Sequence, residues 1–143
     1  MGLALAEAEA AAARDEVPIG AVLVTGGAVI ARAGNRTREL NDPTAHAEML
    51  VVREAARSLS AERLADADLY VTLEPCTMCA AAISFARVRR LYFGAADEKG
   101  GAVVSGVRFF AQPSCHHAPD VYQGLGEVPA AQILRDFFRA RRV

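Results

Sequence analysis

The stretch LYVTLEPCTMCAAAISF, residues 69–85, decides how the rest of the chain is read. Leu69–Leu73 is short, apolar and rich in β-formers, as expected of a buried strand. Glu74-Pro75 ends it. Cys76–Phe85 then reads as a helix whose face of small residues packs closely on a sheet. A buried strand running into a helix makes this an α/β chain, and the flanking segments extend the pattern. Arg90–Ala95 (RLYFGA) is the next strand. Upstream, residues 44–59 turn helical, with Met49, Val52 and Ala56 as the expected buried stripe. Ala21–Val24 and Val29–Ala33 are β-rich runs joined by Thr25-Gly26-Gly27, a hairpin signal.

The chain opens with strong helix formers at residues 3–14, where Leu3, Ala6 and Ala10 form one stripe and Glu7 and Glu9 turn away. Residues 97–128 carry only weak structural signals. A basic amphipathic helix over residues 130–142 closes the chain, with Ile133, Leu134, Phe137 and Phe138 as its apolar side. The expected fold is a three-layer α/β/α sandwich around a mixed sheet, with residues 1–143 as one domain.

Composition sets the outer limits. The 143 residues are 52% hydrophobic and 23% charged, ordinary globular usage rather than that of a disordered chain. A net charge of −1 gives no global basic field. No run approaches the roughly 18 apolar residues of a membrane span. Three cysteines make no disulfide framework. These features point to a soluble, cytoplasmic protein whose cysteines have work other than bridging. The charge is split: residues 1–16 hold four acids against Arg14, whereas residues 129–143 hold four arginines against Asp136. Arg139, Arg141 and Arg142 thus read either as an ordinary helix end, where cations suit the dipole, or as a patch for phosphates.

Two segments carry chemistry, His46-Ala47-Glu48 and Pro75-Cys76-Thr77-Met78-Cys79. Cys76 and Cys79 share a helix face and can grip one ion, and a helix N-terminus favours the thiolate. His46 and Glu48 can address one small volume only from a first helical turn. Two helix starts aimed at the same spot give a Cys2His set with a carboxylate beside it. Three ligands leave a fourth tetrahedral position for water, as catalytic zinc requires. A CxxC redox pair and a structural zinc completed by Cys115 are the competing readings. Neither needs a Glu48. The joint pattern is the signature of the zinc nucleobase deaminases.

The match extends further. EVPIGAVLV (16–24), GNR (34–36), DPTAHAEM (42–49), LYVTLEPCTMCAAAI (69–83), FGAADEKGGA (93–102) and FFRARR (137–142) resemble the bacterial tRNA-specific adenosine deaminases, in the cytidine/deoxycytidylate deaminase superfamily. The resemblance implies a cytidine-deaminase-like fold with a mixed five-stranded sheet, and a homodimer. It implies hydrolytic conversion of adenosine to inosine at the wobble position of a tRNA anticodon loop, releasing ammonia. His46, Cys76 and Cys79 would hold one Zn²⁺ per subunit, and Glu48 would move the protons. Asn35 would contact the base, and Asp97 and Lys99 would lie near the RNA sugar and backbone. Taken alone, Asn35 is also an ordinary turn residue and Asp97-Glu98 a solvated turn. Tyr92, Phe93, Phe137 and Phe138 read as core. Cys115-His116-His117 reads as a substrate-side loop or, less readily, a second metal site. The alternative functions are a free nucleobase deaminase acting on guanine or cytosine on the same fold, and a non-catalytic zinc-stabilised RNA-binding module.

Overall fold

The computed structural model describes residues 1–141. In chain order the elements are α1 (Gly2–Ala13), β1 (Gly20–Thr25), β2 (Ala28–Gly34), α2 (Ala47–Leu59), β3 (Ala67–Leu73), α3 (Thr77–Phe85), β4 (Arg90–Ala95), β5 (Asp120–Gln123) and α4 (Glu127–Arg141). The strands form one mixed sheet in the order β2-β1-β3-β4-β5. β1 pairs antiparallel with β2 and β3, whereas β3, β4 and β5 run parallel. Gly26 and Gly27 have φ of 58° and 78°, the two positive values that a tight hairpin turn needs to match strand twist.

Register sets the two faces. Leu23 lies opposite Leu69, and Ala21 opposite Val71; Leu69 and Val71 then lie opposite Leu91 and Phe93. This face packs with Val51 and Ala55 of α2 and Ala80 and Ile83 of α3 into the main core. The opposite face carries α1 over β1 and β2, and α4 over β3 and β4. The expected three layers are therefore present, with α2 and α3 on one side and α1 and α4 on the other.

α1 packs on its smallest residues. Its buried positions are Ala4, Ala8 and Ala11, and Leu3, Ala6 and Ala10 are exposed, so the expected stripe is displaced. The cause is the paired Gly20 and Gly34 beneath it. A Cβ at Gly20 would come within 1.9 Å of the Ala4 carbonyl oxygen, and one at Gly34 within 2.7 Å of the Glu7 carbonyl. Backbone lying on backbone selects the smallest stripe, not the most apolar.

In α2 the buried set is Ala47, Glu48, Val51 and Ala55, with Met49, Val52 and Ala56 half-buried. The stripe is shifted by one residue, and a glutamate goes inside. α4 starts before Pro129, because proline is tolerated in a first turn that lacks intrahelical N–H partners. Phe93 and Phe137 are core, but Phe138 is 45% exposed. Tyr92 stacks between Tyr70 and Tyr122, with ring centroids 4.5 and 4.9 Å apart, on the α1 and α4 side of the sheet. β5 lies within the stretch that gave weak signals: it is four residues long at the sheet edge, and only Val121 is partly buried.

The Gly20 contact predicts a large cost for one methyl. Gly20→Ala should lower stability by about 3 kcal/mol, the upper end for overpacking, as read from urea denaturation.

Candidate active site

α2 and α3 both begin at one place. His46 is the N-cap of α2 (φ −70°, ψ 152°) and Cys76 the N-cap of α3 (φ −75°, ψ 177°). Extended backbone at each cap turns the side chain across the helix end rather than along its flank. His46 Nδ1 lies 3.6 Å from Cys76 Sγ and 3.5 Å from Cys79 Sγ. All three donor atoms fall within 4.8 Å of one another. The structure thus gathers the three expected ligand residues, and the set is compatible with zinc.

The electrostatics of the set favour a cation. The hydrogen bond from Cys79 draws the Cys76 thiol down to about 4, with His46 adding to the effect against burial. The same contact, with burial, pushes the Cys79 thiol well above its ordinary range. Two sulfurs this close cannot both ionise unaided, and a dication satisfies both. The hydrogen bond with Cys76 holds His46 above its usual value.

Glu48 lies at the second position of α2, 4% exposed, and its Oε1 is buried with no hydrogen-bond partner. Burial raises its pKa to about 7, opposed by its own backbone N–H and by His46. A buried oxygen left without a partner is costly and needs a compensating reason, and here the His46, Cys76 and Cys79 set lies at the same helix start.

Two loops border this centre. Asn35 is buried, and its Oδ1 accepts the Ala47 N–H at 2.8 Å, so it caps α2 beside His46. That leaves its amide NH2 as the donor end. The second loop, residues 97–105, is wrapped around Glu74, which is 2% exposed. Glu74 Oε1 accepts the Asp97 N–H and the Ser105 hydroxyl, both at 2.9 Å. Its Oε2 accepts the N–H groups of Val103, Val104 and Ser105 at 2.9–3.0 Å. Burial works against the Glu74 charge, but these donors outweigh it and hold the pKa below the usual value. Asp97 uses Oδ1 to accept the Lys99 and Gly100 N–H groups, a local turn that leaves Lys99 exposed. Beside this loop runs a groove of about 420 Å³, lined by Leu73, Ala95, Asp97, Leu134, Arg135 and Phe138.

Glu16 and Glu74 have no site role in the sequence reading. Their only signal is an acid next to a Pro-containing turn in apolar surroundings, Glu16-Val17-Pro18 and Glu74-Pro75. Cys115 lies away from the three-ligand cluster. Its Sγ contacts Ser84 Oγ near the far end of α3 and donates to the His117 carbonyl at 3.1 Å. His117 Nε2 donates to the Val88 carbonyl at 2.8 Å. In this chain the segment fastens onto the α3–β4 junction; Cys115 does not complete the cluster, and Cys115 and His117 join no second one among the described residues.

The MafB19-like deaminase model matches residues 1–142. A tRNA-specific adenosine deaminase of Agrobacterium fabrum is 73% identical over 143 residues, covering all of this chain and 94% of that protein. The chain belongs to the tRNA-specific adenosine deaminase family. A structure solved in work on A-to-I editing by tRNA:A34 deaminases is 74% identical, with a TM-score of 0.93, over 94% of this chain and 97% of that one. A guanine deaminase from Bacillus subtilis is more distant, 32% identical with a TM-score of 0.66, over 98% of this chain and 90% of that one.

In this tRNA-specific adenosine deaminase family member, the C-terminal arginines divide. Arg139 is exposed. Arg141 donates to the Asp15 carboxylate and to the Phe137 carbonyl, with its guanidinium 3.4 Å from the centre of the Phe137 ring. It is a clasp between α4 and the end of α1. Arg142 lies outside the described residues.

Glu74 offers a test of how the second loop is held. Glu74→Gln leaves one oxygen for the N–H groups of four residues and should cost about 3 kcal/mol, as for a charged buried acceptor. Urea denaturation measures the loss, and limited proteolysis should show residues 97–105 opening first.

Proposed function

We propose that this chain hydrolyses adenosine to inosine at the wobble position of a tRNA anticodon loop, releasing ammonia, with one zinc ion held by His46, Cys76 and Cys79. The observation that carries this is the unpartnered Glu48 Oε1, buried in the first turn of α2 two residues after His46. A purely structural zinc site needs no such carboxylate.

When bound, zinc supplies Lewis acidity that makes water nucleophilic near neutral pH. Glu48 takes the proton of the attacking water, passes it to ring N1, and later protonates the departing C6 amine. Burial favours its protonated form, the direction that lets a carboxylate hold a proton and then return it. Water adds its oxygen to C6, the C6–N bond breaks, and the products are inosine and ammonia. With Asn35 Oδ1 turned to the Ala47 N–H, its NH2 is the end left to donate and would meet an acceptor atom of the base.

The surroundings support an RNA substrate over a free base. The 420 Å³ groove runs from Asp97 to the exposed Phe138, with Arg135 along it and Arg139 exposed one turn on. An apolar floor with an aromatic ring and arginines suits a flanking nucleotide. Of the cations read as meeting phosphate, Lys99 and Arg139 are exposed, whereas Arg141 is occupied by Asp15. Cytoplasmic residence follows from a tRNA substrate, and no helix among the described residues is long and apolar enough to cross a membrane.

A homodimer completes the reading. Phe85, at the end of α3, is 74% exposed, more than a large apolar ring needs in a monomer, and a second copy would cover it better than water. Phe85→Asp should shift the protein to monomer in light scattering without loss of the folded circular dichroism signal.

Turnover decides the reading. Zinc-loaded protein incubated with a tRNA bearing adenosine at the wobble position should yield inosine, seen as an A-to-G change on reverse transcription. Glu48→Ala should keep zinc and fold while kcat falls about 10³-fold, the scale of a lost acid–base group. Unchanged tRNA alongside ammonia release from free guanine would favour the free-base enzyme instead.

A further inference from the structure

We propose that Glu16 is a positioning residue for base recognition. Its buried carboxylate folds the loop over residues 35–46, so that the Asn35 amide and the His46–Glu48 end of α2 face one substrate. This rests on the reading of Asn35 as a donor to the base.

Glu16 is 1% exposed, and both its oxygens are used. Oε1 accepts the Arg38 N–H at 3.1 Å and Oε2 the Glu39 N–H at 2.8 Å. These donors start a run of turns: Leu40 N–H donates to the Arg36 carbonyl, and Asp42 N–H to the Thr37 carbonyl. Ala45 N–H then donates to the Asp42 carbonyl, and Arg36 N–H closes the loop on the Ala45 carbonyl at 3.1 Å. One end of the closed loop is Asn35, and the other is His46. The only charged group inside the fold that this loop binds by its backbone N–H groups is Glu16, among the described residues.

Glu16 arrives there because of how α1 ends. Glu16 N–H donates to the Ala11 carbonyl and Asp15 N–H to the Ala12 carbonyl, a Schellman stop with Asp15 in the left-handed region at φ 66°. Glycine is the usual residue at that place. Here the side chain has a use: Asp15 accepts from Arg38 and Arg141, and the bond from Arg141 leads in holding its pKa below the usual carboxylate value. Arg14 donates to the Asn35 carbonyl at 3.3 Å. Three consecutive residues thus grip the loop, and the α1 packing on Gly20 and Gly34 fixes their position. Of the three, only Glu16 is fully buried, so its bonds escape the screening that weakens the exposed Asp15 pairs.

If Glu16 acts through Asn35, removing both should cost no more recognition than removing Asn35. Asn35→Asp is the informative partner, since aspartate still caps Ala47 but cannot donate to a base. Steady-state kinetics on an RNA stem–loop with a single loop adenosine, together with zinc content and Tm, are measured for zinc-loaded wild type, E16Q, N35D and the double variant. E16Q should raise KM about tenfold, the scale of one lost charge-assisted hydrogen bond, with kcat within about threefold and zinc unchanged. N35D should raise KM by at least as much. The double variant should match N35D in KM within about twofold, while the Tm losses add. KM losses that multiply, or an E16Q whose KM equals wild type, overturn the proposal. N35D with wild-type KM overturns the reading of Asn35, and the proposal with it. If E16Q does not fold, E16D serves the same cycle, keeping one of the two bonds and raising KM about threefold.

Discussion

Two sulfurs and an imidazole nitrogen held within 4.8 Å of each other, at the starts of two helices, set the terms for the rest of this molecule. Like charges at that spacing repel, and the helix ends favour the anionic sulfurs without neutralising both. A dication resolves the conflict, and a sheet that presents two helix N-termini side by side is the means of building it. β3 delivers Cys76 at its carboxyl end, where parallel sheets habitually place their sites. The β1–β2 hairpin and its following loop deliver His46. Burial of Glu48 in the same first turn follows, because α2 must lay Ala47, Val51 and Ala55 on the sheet and the glutamate shares that face.

The loops around the centre are built on one device used twice. Glu16 and Glu74 are buried carboxylates whose partners are backbone N–H groups and, for Glu74, a hydroxyl. Such a carboxylate gives an irregular loop a fixed core without a hydrophobic one, since each N–H it accepts is a backbone donor satisfied. Gly101 shows how closely the second loop is drawn: a Cβ there would fall 2.4 Å from the Glu74 carboxyl carbon. The loop over residues 35–46, which follows β2, and the Asp97 loop, which follows β4, are thereby fastened to Glu16 before β1 and Glu74 after β3.

Much of this is legible in the residues, and the rest is hidden for identifiable reasons. The Gly26-Gly27 turn and the Leu69–Leu73 strand follow from local chemistry alone. His46, Glu48, Cys76 and Cys79 stand out because their types and spacing have few other uses. The buried face of α1 does not, because the paired glycines that choose Ala4, Ala8 and Ala11 lie in other elements. β5 is hidden because a four-residue edge strand with one partly buried side chain has no alternation to show. Arg141 looks like a free cation in a basic tail, and only the fold brings Asp15 to it. Glu16 and Glu74 look like surface acids, since their partners are main-chain groups that sequence does not display.

The central claim is that His46, Cys76 and Cys79 hold the zinc while Glu48 stands beside it as a proton carrier and not as a ligand. Zinc-edge X-ray absorption on the wild type and on Glu48→Ala addresses this most directly. The account expects two sulfurs and one imidazole nitrogen from the protein, and a coordination shell that is the same in both samples. A third sulfur, or a shell that changes when the Glu48 carboxylate is removed, would contradict it.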